Sequence, residues 1–82
     1  MSFLLLNIGY NNFISKEKIV CIIDFDTKPV KKLVEEARAQ GKLIDATCGR
    51  KTRTVIIASS SHIILSSLQP QTLAQRLQKN NE

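Results

Sequence analysis

The sequence predicts a small α+β fold, with about five strands in one antiparallel or mixed sheet and two helices, in the order ββαβββα. Three observations predict it: apolar runs of strand length, one central segment with helical periodicity, and a proline-led segment near the end. A chain of 82 residues has the size of one domain. We expect this domain to span residues 1–79 and a polar tail to occupy residues 80–82.

Two strands before the main helix are predicted from apolar runs, with a turn and an extended path between them. "SFLLLNIGY" is typical of a strand that ends near Gly9. "NNFIS" has turn residues at Asn11 and Asn12 and then continues along an extended path. "KIVCIIDF" is apolar almost throughout, which indicates a strand that is covered on both faces.

The main helix is predicted over residues 28–40. Thr27 or Asp26 can cap its first turn, Pro29 falls where a missing N–H costs little, and Gly41 suits the left-handed end. The apolar positions recur at helical spacing and form one face: Val30, Leu33, Val34 and Ala37. On the other face, Lys31 with Glu35 and Lys32 with Glu36 have the spacing of ion pairs.

Three strands and a short helix complete the predicted order. "KLIDATC" predicts a short strand that ends at a turn beginning with Gly49. "TRTVIIA" and "HIILSSL" are joined by serines 59–61 and predict a hairpin. Pro70 begins the last helix, which has a narrow apolar stripe at Leu73, Ala74 and Leu77.

Charge is distributed unevenly along the chain. The sequence has 12 Lys and Arg against 7 Asp and Glu, a formal net charge of +5. Residues 1–45 hold seven bases and six acids, whereas residues 46–81 hold five bases and no acid. A basic half on a small domain is typical of a protein that binds a polyanion, although basic proteins without an acidic partner also exist.

The densest positive charge lies in "GRKTR", residues 49–53, which we call the basic loop. Arg50, Lys51 and Arg53 on a tight turn are suited to phosphate contacts, and Gly49 lets the backbone turn sharply. The alternative interpretation is a solvated turn without a partner. Lys16 and Lys18 precede the second predicted strand and would extend the same phosphate-binding surface if they face the basic loop. Glu17 between them weakens that prediction, and a solvated strand start is the alternative.

The sequence gives little support to catalysis, metal binding or a cofactor. Asp24 and Asp26 precede a helix, where caps are expected, and Asp45 is suited to accept hydrogen bonds at a sheet edge or in a turn. His62 directly follows three serines, but catalytic triads are built from residues distant in sequence. One histidine and two cysteines, Cys21 and Cys48, are too few for a typical zinc site. We therefore expect no enzyme, no metal, no cofactor and no small-molecule substrate.

The opening of the chain lacks the basic region of a signal peptide, and its apolar run is too short for a membrane span. We therefore expect a cytoplasmic protein with reduced cysteines and no membrane partner.

The kind of nucleic acid is less directly indicated. Proteins that bind single strands usually stack bases on aromatic side chains. The aromatic residues are few, and three of them lie in the first quarter of the chain, away in sequence from the basic loop: Phe3, Tyr10, Phe13 and Phe25. This distribution favours contact with the backbone of a duplex and leaves RNA as an alternative.

The chain resembles a known family, the RemA or extracellular matrix regulatory proteins of bacteria. The resemblance runs from Asn7 to Leu77 and is carried by "NIGY", "GKLIDAT-GRKTR-VII", "HIILSS-QP-T-AQRL" and the proline of "P-K---EAR". It implies that Lys18, Arg50 and Lys51 occupy the family's functional basic positions, and Pro29 also matches.

This sequence departs from the family's pattern at three of its positions. Lysines stand at positions 18 and 51 where arginine is familiar, and Cys48 stands where an aromatic residue is common. Lysine keeps the charge but loses the bidentate fork of arginine.

The resemblance further implies a regulator of transcription that lacks a helix-turn-helix and assembles into a closed ring, an octamer or similar. We expect a nucleoid-associated regulator of biofilm matrix genes that binds double-stranded DNA through basic loops repeated around the ring. Sequence preference would then come largely from DNA deformability. The alternatives are an RNA-binding module and a self-assembling structural protein with no nucleic-acid partner.

Overall fold

The computed structural model describes residues 5–78 of the 82-residue chain. It contains strands β1 (Leu5–Gly9), β2 (Asn12–Ser15) and β3 (Ile19–Asp24), helix α1 (Lys28–Gln40), strands β4 (Leu43–Asp45), β5 (Thr54–Ala58) and β6 (Ile63–Ser66), and helix α2 (Pro70–Gln78). A short 3-10 turn, Lys16–Lys18, joins β2 to β3. The predicted polar tail, residues 80–82, lies outside the described residues.

The strands form two sheets. β3, β5, β6 and β4 lie in that order in a four-stranded sheet, while β1 and β2 form a separate antiparallel hairpin. β4 runs parallel to β6, and the other pairs in the larger sheet are antiparallel, so this sheet is mixed. The predicted α+β class and its element order are confirmed, with one strand added because the extended path after Asn12 is a paired strand.

The larger sheet is covered on both faces. β5 and β6 occupy its centre, and their side chains alternate between two apolar clusters. Val55, Ile63 and Leu65 pack with Val34 and Ala37 of α1 on one face. On the other face, residues of β5 and β6 pack with the β1–β2 hairpin and α2, in a cluster that contains Leu6, Ile8, Ile56, Ile64 and Leu73. The fold is therefore a three-layer arrangement.

Helix α1 has the predicted limits, because its end signals are local. The Thr27 hydroxyl oxygen accepts a hydrogen bond from the Val30 N–H at 3.4 Å, and Pro29 is the second residue of the helix. Gly41 ends the helix with a φ of 74°. The predicted pairing of Lys31 and Lys32 with glutamates four residues on is wrong. The ion pairs formed by α1 within residues 5–78 join Lys31 to Asp26 and Arg38 to Glu35.

Strand β3 differs from its prediction. The sequence predicts coverage on both faces, and Ile22 and Ile23 do pack against the two opposite apolar clusters. The coverage is incomplete, however, and β3 is an edge strand that pairs with β5 alone among the described strands. Its Val20 is 63% exposed. An apolar run therefore indicates a strand correctly but does not indicate complete burial, since exposed apolar positions fit an edge that meets another surface.

Two long-range hydrogen bonds attach the β1–β2 hairpin to the rest of the fold. The buried Ser66 hydroxyl at the end of β6 donates to the Ile8 carbonyl at 2.8 Å. An irregularity in the β1–β2 register between Asn7 and Gly9 falls at this point. Arg76 of α2 donates to the Asn7 carbonyl, also at 2.8 Å. These bonds hold the tip of the hairpin at the end of the sheet where β6 finishes and β5 begins.

Candidate nucleic-acid interface

The basic loop connects β4 to β5 and begins with a tight turn. The Arg50 N–H donates to the Thr47 carbonyl at 3.0 Å. The two residues between them, Cys48 and Gly49, have positive φ values of 53° and 81°. A Cβ added at Gly49 would meet no atom within 4 Å, so this glycine is favoured by its backbone conformation and not by lack of space.

Asp45 holds the first side of the loop. Its Oδ1 accepts hydrogen bonds from the Thr47 N–H at 2.9 Å and from the Thr47 hydroxyl at 2.6 Å. The Thr47 hydroxyl, the Thr47 N–H and the positive charge of Arg38 together hold the pKa of the Asp45 carboxyl below its usual value. Asp45 is therefore the turn acceptor that the sequence predicts, and it anchors the loop in its charged form.

The second side of the loop is held by neutral hydrogen bonds. Thr54 is fully buried, and its hydroxyl donates to the Leu68 carbonyl at 2.6 Å. The Arg53 N–H donates to the Ser66 carbonyl at 2.9 Å, and the Arg53 carbonyl accepts from the Phe25 N–H at 3.1 Å. The backbone is thus fixed at both ends while the side chains of Arg50, Lys51 and Arg53 stay exposed.

Lys51 and Arg53 line an open cleft of about 460 Å³ between the loop, the end of β3 and the start of α2. Lys31 of α1 also lines the cleft, where its Nζ lies 3.7 Å from Asp26 and 5.7 Å from the centre of the Phe25 ring. Helix α2 begins at Pro70 on the cleft wall, so the positive end of its dipole adds to these cations. The cleft gathers three cations that suit contact with phosphate, although the carboxylates of Asp24 and Asp26 also line it.

Arg50 lies on the other side of the loop, against the β1–β2 hairpin. Its guanidinium carbon is 5.9 Å from the centre of the Tyr10 ring, within the range of a cation–π contact. Tyr10 is half exposed at the hairpin tip. Distance in sequence is therefore misleading for this aromatic residue, because the fold brings Tyr10 directly to the basic loop.

Lys16 and Lys18 lie elsewhere on the subunit. The Lys18 carbonyl accepts a hydrogen bond from the Ser59 N–H at 2.7 Å, beyond the far end of β5. The basic loop lies at the near end, and the strand between them spans roughly 14 Å at the usual rise per residue. One subunit thus brings Arg50, Lys51 and Arg53 together and keeps Lys16 and Lys18 apart from them.

The site also contains side chains that the sequence analysis does not assign to it. Lys31 is predicted on the solvent-exposed face of α1, and Tyr10 is predicted at the end of a strand. Neither has a sequence signal that indicates proximity to residues 49–53, because both come from segments that only the tertiary fold joins to the loop. The turn predicted at Asn11 and Asn12 lies one residue from the observed hairpin tip at Tyr10 and Asn11.

The remaining polar groups form simpler arrangements. Ser60 Oγ lies 2.7 Å from His62 Nδ1 at the surface. Across residues 5–78, no group of three His, Cys, Asp or Glu side chains is placed to hold a metal ion. Cys21 is a half-buried free thiol and Cys48 an exposed one. In the same part of the chain, neither helix is long and apolar enough to cross a membrane.

Comparison with known proteins connects this geometry to a family. The family model described as "RemA-like: Extracellular matrix regulatory protein A-like" matches residues 5–77. A protein of Thermoanaerobacter sp. (strain X514) is 51% identical over 82 residues, covering 100% of this chain and 85% of the relative. A relative in Geobacillus thermodenitrificans is 53% identical over 72 residues, covering 88% and 83%. A relative in Thermotoga maritima is 49% identical over 76 residues, covering 93% and 83%.

All three relatives are named "Putative regulatory protein". The family description and these names point to a regulatory role rather than a catalytic one.

The anchoring role of Asp45 gives a prediction about the order of the loop. We expect Asp45→Ala to speed amide hydrogen exchange at Thr47 and Arg50 by about tenfold, because the loop loses its two acceptor bonds. Asp45→Asn keeps an acceptor oxygen and should have a smaller effect. Glu36→Ala, which removes an exposed acid from α1, controls for the change in charge. Equal exchange in Asp45→Ala and wild type would show that Asp45 does not hold the loop.

The same anchor should depend on pH in a defined direction. Because the folded pKa of Asp45 is lowered, its contribution is complete above the ordinary carboxyl pKa of 3.8 and is lost as the pH falls through the lower folded value. In the exchange measurement, the difference between wild type and Asp45→Ala should therefore narrow below about pH 4.

Proposed function

Because the chain belongs to the RemA-like family of regulatory proteins, we propose that it is a transcriptional regulator that binds double-stranded DNA. It acts by binding and not by catalysis, without a cofactor or a small-molecule substrate. In this proposal the DNA contacts the basic loop and the adjoining cleft, and several subunits contribute one loop each.

The observation that carries the proposal is the fixed presentation of unneutralised charge. Arg50, Lys51 and Arg53 are exposed, and the ion pairs within the described part of the chain involve other residues. A fixed loop avoids the cost of ordering its backbone when its charges meet a phosphate, and arginine can bind one with two hydrogen bonds. The neighbouring start of α2 favours the same negatively charged ligand.

The helices do not supply a recognition motif of the familiar kind. α1 and α2 pack on opposite faces of the larger sheet and are separated by three strands. They therefore do not form the pair of consecutive helices that a helix-turn-helix requires. DNA contact through a loop directs most of the interaction to the phosphate backbone, so sequence preference arises largely from DNA deformability.

The proposed assembly is a closed ring, an octamer or similar. A ring is built by a head-to-tail contact between two different surfaces of each subunit. The two edge strands of the larger sheet, β3 and β4, are on opposite sides of the subunit. Each carries a large exposed apolar side chain, Val20 at 63% and Ile44 at 47% exposure. Edge strands with exposed apolar residues are suited to meet another copy of the chain.

Such a ring explains how distant basic residues serve one ligand. Within one subunit Lys16 and Lys18 lie at the far end of the sheet from the basic loop. In the ring they contribute to the DNA-binding surface together with a neighbouring subunit's loop. A duplex that runs along the rim meets repeated cations, and the combined affinity exceeds that of any one loop.

The biological role that we propose is the control of biofilm matrix genes, and the extracellular matrix named in the family description supports it. The protein would act in the cytoplasm on the nucleoid, where its DNA targets lie.

RNA binding is the second candidate, and one observation favours it. Tyr10 lies beside Arg50, and an exposed aromatic ring beside a cation is typical of sites that bind single strands. A third candidate is a self-assembling structural protein with no nucleic-acid partner. Gel-shift titrations with duplex DNA, single-stranded DNA and RNA of one sequence separate all three. Tightest binding to the duplex supports the proposal, tightest binding to RNA supports the second candidate, and binding to none supports the third.

The charges of the basic loop should determine the affinity for duplex DNA. We expect the double variant Arg50→Ala with Lys51→Ala to bind duplex DNA at least about tenfold more weakly and to lower the salt slope by roughly two units for each loop that the duplex contacts. The matched control, Lys32→Ala with Lys42→Ala, removes two charges outside the loop and should bind nearly as wild type does. Gel shift and circular dichroism are measured on the same samples. Wild-type affinity in a folded loop variant would refute this assignment of the site.

The proposed ring should be detectable as a large assembly in solution. Light scattering at micromolar concentration should give a mass well above that of a dimer of the 9.2 kDa chain. Ile44→Glu and Val20→Glu should each reduce this mass, because each places a charge in the proposed contact. Ala39→Glu adds the same charge to an exposed position of α1 and should not. A wild-type protein that scatters as a 9.2 kDa monomer would contradict the ring.

A further inference from the structure

The tip of the β1–β2 hairpin places one aromatic side chain at the basic loop. The Tyr10 ring is 50% exposed, and the Arg50 guanidinium carbon is 5.9 Å from its centre. Phosphate contact through Arg50, Lys51 and Arg53 does not require an aromatic ring at this position. The proposed function therefore leaves the role of Tyr10 open.

The backbone at the tip is in a conformation that a tyrosine does not favour. Tyr10 and Asn11 both have positive φ values, 55° and 64°. This is the pattern of a two-residue turn in which Asn and Gly are preferred, because a larger side chain crowds its own backbone. Asn11 fits the preference and Tyr10 does not. Half of the Tyr10 side chain nevertheless remains exposed at this strained position, and strained residues of this kind cluster at functional sites.

The tip is nevertheless rigid. The Gly9 N–H donates to Asn7 Oδ1 at 2.8 Å, and Asn12 Nδ2 donates to the Gly9 carbonyl at 3.0 Å. The Ser66 and Arg76 bonds to β1 hold the hairpin against the sheet and α2. The backbone that carries Tyr10 is thus held at a fixed place beside the loop, which favours a preorganised contact.

We propose that Tyr10 stacks on a nucleobase of duplex DNA while Arg50, Lys51 and Arg53 hold the adjoining phosphates. This inference rests on the proposed function and adds a base contact to it. An aromatic ring beside an arginine offers a base the π-face that stacking requires, and this contact is sequence-tolerant since every base has a π-face. Bases of a duplex become available where a step is opened, as with side chains that wedge between base pairs.

The site therefore distinguishes DNA by how easily a step opens. Opening a step is least costly at an unpaired or mismatched base, intermediate at flexible pyrimidine–purine steps, and most costly in stiff A-tracts. Affinity should decrease in that order for duplexes of equal length and charge. DNA deformability alone gives the same order, so this order supports a base contact only where it depends on the ring of Tyr10.

The experiment uses the emission of the protein itself. The sequence has one tyrosine and no tryptophan, so intrinsic tyrosine fluorescence reports Tyr10 alone. The full chain is titrated at low salt with a mismatched duplex, its fully paired counterpart, an A-tract duplex, and single-stranded DNA and RNA of the same sequence. Stacking on a base quenches the emission, and we expect the strongest quenching with the mismatched duplex.

Variants separate stacking from a positioning role for Tyr10. Tyr10→Phe keeps the ring and should keep the preference for the mismatched duplex. Tyr10→Leu should lose on the order of tenfold in affinity for the mismatched duplex and far less for the A-tract duplex. Tyr10→Gly, which suits the positive φ, should melt no lower than wild type yet show the same loss. If Tyr10 only positioned Arg50, the loss would be equal for all duplexes and the emission of wild type would not change.

The same titrations distinguish failure of the base contact from failure of duplex binding. Duplex binding with unchanged emission, or with an unchanged affinity in a folded Tyr10→Leu or Tyr10→Gly variant, overturns the base contact alone. Stronger quenching and tighter binding with single-stranded RNA overturn the duplex as the ligand of this site. No binding to any of the nucleic acids overturns both proposals.

Discussion

The proposed binding of DNA depends on the fixed backbone of the basic loop. Like charges on three nearby side chains repel one another, and within the described residues the ion pairs lie elsewhere. The loop is ordered instead by bonds at its two ends, from Thr47 to Asp45 on one side and from Thr54 to Leu68 on the other. One end continues into the buried central strand β5, and the other follows the edge strand β4, which pairs with β6. The stability of the fold thus supports charges that do not stabilise it themselves, as in many binding sites on loops.

The parts of the fold that local signals determine were predictable. Helix α1 begins and ends as predicted because the Thr27 cap, the early Pro29 and the left-handed Gly41 act within a few residues of each end. The β5–β6 hairpin was also predictable, because serines separate two short apolar runs. The separation of β1 and β2 into a second sheet was not, because it depends on which face of the larger sheet a hairpin covers. The burial of β3 was overestimated, because an apolar run does not reveal whether a strand lies at the edge of its sheet.

The candidate site was predictable only in its local part. Three basic residues on a glycine turn stand out in the sequence, and the structure places them together on a rigid loop. The contribution of Tyr10 was not predictable, because it is far from Arg50 in sequence and only tertiary bonds through Ser66 and Arg76 bring them together. Position in sequence also concealed that Lys18 lies at the opposite end of β5 from the loop.

The central claim is that rings of subunits bind DNA by neutralising many phosphates at once, and its most direct test is the salt dependence of binding. The affinity for one duplex is measured across a salt series for wild type, for Ala39→Glu and for Ile44→Glu. Each neutralised phosphate contributes about −0.9 to the slope of log K against log salt. If the assembled ring binds the duplex, the slopes for wild type and Ala39→Glu should correspond to roughly six to ten phosphates or more. The slope for a folded, dissociated Ile44→Glu should correspond to about three. Equal slopes for the assembled and the dissociated protein would contradict the claim, because each subunit would then bind DNA alone.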